Sequence, residues 1–249
     1  KVYAIDRNDI DLPVYKSIKG DLSTREGIDS VVSELPEKID ALFMCHGVAL
    51  IPEKEKFIQL VNFIGQKYMV EALLPRILEN GSVSFISSSG GYGWENKIEL
   101  INEYINLNTF EEQVEWVEGH MPIFSEGYMS DSYCFSKQCI NAYVKSKVRS
   151  PEFINKKIRV NAIAPSYTIS GLTKDFNLAI SQDGSEESGE KLMHDLFLKS
   201  WNGRPGTSED MGYPLVMIGS NLFGYLSGQV IYIDFGMTGE MDYKNLLSK

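Results

Sequence analysis

Short apolar runs alternate with helical stripes along this chain, and that alternation leaves few folds open to it. Val2-Tyr3-Ala4-Ile5, closed by Asp6, has the length and composition of a buried parallel strand. Ser23-Thr24-Arg25-Glu26 reads as a capping box, after which Ile28, Val31, Val32 and Leu35 recur at helical spacing. A strand over Ala41 to Cys45 follows, then a helix from about Phe57 to Leu78 stopped by Asn80-Gly81, then a strand over Val83 to Ile86. After an interruption the pattern resumes: helix from Tyr133 to Val148, strand from Ile158 to Ile163, helix opening at Thr207, strand from Val230 to Ile233. The order predicts an α/β fold, a doubly wound parallel sheet with helices on both faces. No linker divides the 249 residues, so one domain over 1–249 is expected.

Two segments break the rhythm. In 92–128, Ile98, Ile101 and Ile105 and then Phe110, Val114 and Val117 form two amphipathic stripes, with Thr109 and Glu112 placed to cap the second, so a helical insertion is expected. The segment 166–206 is long and weakly patterned, as a lid or binding loop would be. These segments also hold the acidity. The chain carries a net −10, of which 92–128 contribute −7 and 175–195 contribute −5, leaving a body of +2.

That balance argues against nucleic acid as a partner, because phosphate binding needs a basic surface. Cys45, Cys134 and Cys139 form no CxxC pair and His46, His120 and His194 are scattered, so no metal site is expected, and reduced thiols suggest a cytoplasmic protein. Residues 211–233 carry no charge, yet Gly212, Pro214, Gly219, Gly224 and Gly228 interrupt them, which fits a helix end and a buried strand better than a membrane span. No signal peptide is read, since the chain opens on strand-like residues.

Chemistry concentrates where strands end. Tyr133 and Lys137, four apart on a helix, share one face. A phenol that works near neutral pH needs its pKa lowered by roughly three units, and a neighbouring cation supplies part of that. Ser87-Ser88-Ser89-Gly90-Gly91 sits at the carboxyl end of a parallel strand, and Asn161-Ala162-Ile163-Ala164-Pro165, followed by Thr168 and Ser170, closes another at the same edge, where open α/β sheets bind ligands.

In this order the motifs resemble the short-chain dehydrogenase/reductase family, with its Rossmann-like fold: serine after one strand, Tyr-x-x-x-Lys on the next helix, Asn-x-Ile-x-Pro beyond. The resemblance runs from Val2 to Gly236 and includes Asp21-Leu22, Cys45-His46-Gly47 and Asn62. The insertion before Tyr133, with the opening residues, is similar to the branch containing 3α-hydroxysteroid dehydrogenase/carbonyl reductase. What the resemblance implies is an enzyme acting on CH-OH groups. Tyr133 would exchange the proton at the substrate oxygen and Lys137 would tune it and reach the cofactor ribose. Ser88 would hold the substrate oxygen, with Ser87 and Ser89 as alternatives, and Asn62 would hold a water in the proton relay. For the cofactor it implies Asp6 or Arg7 at the adenine ribose, Asp21 and Leu22 at the adenine, Cys45, Gly47 and Pro165 along the groove, and Thr168 and Ser170 at the phosphates and nicotinamide. Asp6 favours NAD, since an acid there hydrogen-bonds the ribose and repels a 2′-phosphate, whereas Arg7 would favour NADP.

The chain departs from the family pattern at His46, Ser166 and Phe235, where small residues or glycine are usual. His46 is read as a satisfied structural histidine, and Cys134 as packing. The leading function is interconversion of a secondary alcohol and a ketone on a hydroxysteroid or similar bulky apolar molecule, with Phe176, Leu196, Phe197 and Trp201 of the lid as pocket walls. A 3-oxoacyl-carrier-protein or general carbonyl reductase is the alternative, although acidic segments ill suit an acidic carrier. A non-catalytic scaffold is the third, because no glycine-rich turn precedes Asp6. The expectation is that the native chain carries that strand, turn and helix in roughly 25 to 30 further N-terminal residues. A homodimer or homotetramer is expected, with the insertion modifying the contact.

Overall fold

The computed structural model describes residues 1–125, 131–201 and 203–248. The end of the expected insertion, 126–128, and position 202 of the expected lid lie outside the described residues. Strand β1 (Tyr3–Asp6) pairs in parallel with β2 (Lys16–Lys19), which sequence patterning misses because only Ile18 of its four residues is buried. Helix α1 (Arg25–Glu34) begins one residue later than the capping box suggests. Thr24 caps it, accepting from the Gly27 amide at 3.1 Å, while the Ser23 hydroxyl turns to the Asp21 carboxylate at 2.6 Å. Strand β3 (Ile39–Met44) follows.

The long helix is broken into α2 (Glu55–Gln59), a π-helical turn at Leu60–Ile64 and α3 (Gly65–Leu73). It stops at a 3₁₀ turn around Pro75, which lacks the amide a helix needs, and not at Asn80-Gly81. Those two residues lie inside β4 (Ile77–Ile86), where Asn80 adopts a left-handed φ of 65° and donates its amide to the Lys156 carbonyl.

The insertion forms α4 (Ile98–Ile105) and α5 (Phe110–Gly119), the second opened by the expected capping box of Thr109 and Glu112. Both pack beside α6 (Ser132–Lys147) and α2 through a buried aromatic stack: Tyr104 lies 4.4 Å from Trp116, and Trp116 lies parallel to Phe135 at 5.9 Å. A short α7 (Pro151–Ile154) leads into β5 (Arg159–Pro165). The expected irregular lid is largely helical, α8 (Thr173–Ile180) and α9 (Glu186–Phe197), joined so closely that a Cβ on Gly189 would lie 1.8 Å from the Asn177 carbonyl oxygen. Then come α10 (Ser208–Gly219), capped by Thr207 and Asp210, β6 (Val230–Ile233), and α11 (Met237–Leu247), for which no sequence signal was read.

Strands β3-β4-β5-β6 form one parallel sheet in that order, and β1-β2 form a second. The α/β Rossmann-like expectation holds, with the sheet in two parts. The largest buried side chains, among them Phe63, Phe85, Phe135 and Tyr143, fill the layer between the four-stranded sheet and the α3/α6 face, and on the other face Met211, Leu215 and Ile218 of α10 pack on Ile231 and Ile233. Among the described residues no helix is long and apolar enough to cross a membrane.

Candidate active site

The carboxyl ends of β1, β3, β4 and β5 open into one cavity of about 1440 Å³. Strand β4 delivers Ser87 and Ser88 there, and the 3₁₀ turn after it faces the first turn of α6. Gly90 makes that approach possible: a Cβ there would lie 3.4 Å from the Tyr133 ring and 3.2 Å from Cys134 Sγ. The Asp131 carboxylate caps α6 by accepting from the Cys134 amide, which fixes the helix start and with it Tyr133.

Of the three serines, Ser88 is the one whose side chain acts to lower the Tyr133 phenol pKa, and its hydroxyl accepts from the Gly90 amide at 3.1 Å. Ser87 points into the protein, donating to Asn141 Oδ1 at 2.6 Å. Lys137 is buried one turn along, its Nζ 5.7 Å from the Tyr133 ring centroid and donating to the Ile86 carbonyl at 3.0 Å. Burial lowers the Lys137 pKa to about 8 and raises that of the Tyr133 phenol above its ordinary value, with the Ser88 side chain opposing. The net lowering of Tyr133 expected from Lys137 is therefore not found: desolvation of the phenolate outweighs the other influences in this enclosed site.

Asn62 lies behind the cavity wall, fully buried. Its Oδ1 accepts from the Val48 amide at 2.7 Å and its Nδ2 donates to the Val48 carbonyl at 3.0 Å, so the side chain braces the turn after β3. The π turn around it shifts the backbone hydrogen bonding of that helix. A Cβ on Gly47 would sit 3.3 Å from Asn62 Oδ1 and 3.8 Å from Lys137 Nζ, so Gly47, Asn62 and Lys137 converge.

The expected cofactor residues Asp6, Arg7, Asp21, Leu22, Cys45, Gly47, Pro165, Thr168 and Ser170 all line the same cavity. Asp6 accepts from the Asn8 amide at 2.8 Å. Hydrogen bonds from Ser23 hold the Asp21 carboxyl below its usual range, and Arg7 adds to this electrostatically. Thr168 donates to the Ser166 carbonyl, and Ser170 accepts from the Leu172 amide. Ser166 Oγ and Gln138 Oε1, on two cavity-lining residues, are buried without partners among the described residues, as is His46 Nε2. The His46 side chain is therefore not the satisfied one its structural reading required. Buried polar atoms left open along one cavity, with an acid at a strand end and a glycine where a side chain would intrude, suit a polar ligand such as a nicotinamide dinucleotide.

The opposite wall is apolar. Phe176 of α8 meets the Tyr133 ring edge-on at 5.0 Å, and Ile180, Met193, Leu196, Phe197 and Trp201 continue the surface. Met237 and Met241 of α11 complete it, past Gly236 where the sequence resemblance ends.

A model of the family described as enoyl-(acyl carrier protein) reductase matches residues 124–238. The chain is 27% identical over 237 residues to coniferyl-alcohol dehydrogenase of Pseudomonas sp. (strain HR199 / DSM 7063), covering 95% of this chain and 86% of that one. A shorter match, 30% identical over 106 residues, links 43% of it to 38% of the 3-oxoacyl-[acyl-carrier-protein] reductase FabG of Rickettsia prowazekii. Among solved structures, 3-alpha-hydroxysteroid dehydrogenase from Pseudomonas sp. B-0831, complexed with NADH, superposes with a TM-score of 0.75 at 18% identity over 96% of this chain and 88% of that one. These likenesses support a protein of the short-chain dehydrogenase/reductase family. They likewise support an oxidoreductase acting on alcohol groups.

Proposed function

We propose that the protein is an NAD-dependent dehydrogenase that interconverts a secondary alcohol and a ketone on a bulky apolar molecule, a hydroxysteroid or one of similar size. The observation that carries this reading is the convergence of Ser88, Tyr133 and Lys137 on one cavity, with the Lys137 ammonium 5.7 Å from the Tyr133 ring, at the boundary between its polar and apolar halves. In our reading Asp6, Arg7, Asp21, Leu22, Cys45, Gly47, Pro165, Thr168 and Ser170 hold the dinucleotide, which when bound takes up or gives the hydride. Asp6 at the end of β1 supports NAD over NADP.

During oxidation Ser88 orients the substrate hydroxyl and the Tyr133 phenolate takes its proton; in reduction the phenol returns it. Lys137 offsets the phenolate charge, Asn62 keeps the Gly47–Val48 turn against it, and the wall from Phe176 to Trp201 excludes water and seats the rings. An aromatic alcohol is a second reading, supported by the likeness to coniferyl-alcohol dehydrogenase along nearly the whole chain.

We further propose that 1–249 work as one unit, that the protein is cytoplasmic, in keeping with its unbridged cysteines, and that it assembles as a homo-oligomer. An assay of NADH formation over steroid, aryl and aliphatic alcohols tests the substrate class. The steroid alcohols are expected to give the highest kcat/KM. Preference for a small aliphatic alcohol contradicts the reading.

A further inference from the structure

His46 stands at the end of β3 where the family pattern has a small side chain. Its backbone is held by Gln66, whose Nε2 donates to the His46 carbonyl at 2.6 Å, so the residue is fixed in place. The imidazole lines the main cavity and lies within electrostatic reach of both Asp6 and Lys137. In our reading Asp6 holds the dinucleotide and Lys137 lies beneath Tyr133, so His46 sits near both parts of the site. Its Nε2 is enclosed and has no hydrogen-bond partner among the described residues. A native structure seldom leaves a buried polar atom without a partner, and one on a residue that lines a ligand cavity is a candidate for pairing with the ligand. Burial and the Lys137 charge hold the imidazole pKa at about 4, with Asp6 opposing, so the ring is neutral at pH 7. A neutral imidazole has one donor and one acceptor nitrogen and suits hydroxyl and ester oxygens.

We infer that His46 is a hydrogen-bonding contact for the ribose–diphosphate backbone of the nicotinamide dinucleotide, and this rests on the dinucleotide reading given above. It acts in binding and takes no proton in the reaction. Binding of NADH and of ADP-ribose to the full chain, followed by titration calorimetry, tests it in the wild type, His46→Ala and His46→Gln. His46→Ala is expected to weaken both ligands by about tenfold, the effect of one lost hydrogen bond. His46→Gln, which keeps a donor and an acceptor, is expected to stay within about threefold of the wild type.

Should His46→Ala fail to fold, the ring-nitrogen resonances of the wild type decide. Three histidines are present, and the signal lost in His46→Gln is expected to shift when ADP-ribose is added. Affinities unchanged in His46→Ala, or an unmoved His46 resonance, overturn the contact while leaving the dehydrogenase reading intact. A wild type that binds neither ligand overturns both.

Discussion

Tyr133 and Lys137 are legible in sequence because a helix fixes the relation of residues four apart, whatever surrounds it. Their titration was not legible, since it depends on burial set by distant segments: Lys137 is lowered to about 8, and Tyr133 is raised. A lysine whose pKa is lower folded than unfolded leaves the unfolded chain holding the extra proton between about pH 8 and 10.5, so stability rises with pH across that window. Chemical denaturation of the wild type and Lys137→Met at a series of pH values is expected to differ by a few kcal/mol in that rise, with the variant lacking it. Phe235 marks another residue-scale case. Its departure from the family glycine was visible, and the structure shows why glycine is usual there, for Phe235 carries a left-handed φ of 56°.

Elements bounded by local chemistry were read well. The Thr109 and Thr207 caps and the Val230–Ile233 strand lie where side-chain pattern alone puts them. Strand β2 was missed because Lys16 and Lys19 flank its one buried residue, and the end of α3 was misplaced because Pro75, a stronger stop, was passed over for Asn80-Gly81. The lid helices α8 and α9 hide their pattern because they pack mainly on each other and on a small cluster of Tyr167, Met193 and Leu198. Phe176 ties these helices to Tyr133. An edge-on aromatic pair contributes about 1 kcal/mol, so Phe176→Ala is expected to lower kcat/KM for a bulky apolar alcohol by about fivefold, chiefly through KM. Steady-state kinetics with a bulky and a small alcohol check this, the small one being little affected.

At the scale of the molecule, helix α10 turns Met211, Leu215 and Ile218 inward while Tyr213, Val216 and Met217 face out, with exposed Leu222 and Tyr225 following, beside the end strand β6. An apolar stripe next to a sheet edge suits a second copy of the chain. Sedimentation at micromolar concentration is expected to show an oligomer, and Tyr213→Glu with Val216→Glu to shift it toward monomer; a monomeric wild type contradicts this.

The acidity read in the sequence also belongs to this scale, for it falls on the insertion and lid helices and leaves the sheet body near neutral. Between those acidic segments in the sequence stand Tyr133 and Lys137, and the role we propose for Tyr133 is tested most directly by deuterium transfer from a carbinol-deuterated secondary alcohol to NAD in the wild type and Tyr133→Phe. Labelled NADH is expected from the wild type, with the rate lowered by about 10²–10⁴ in the variant while NADH still binds. Transfer at the wild-type rate in Tyr133→Phe would contradict the account.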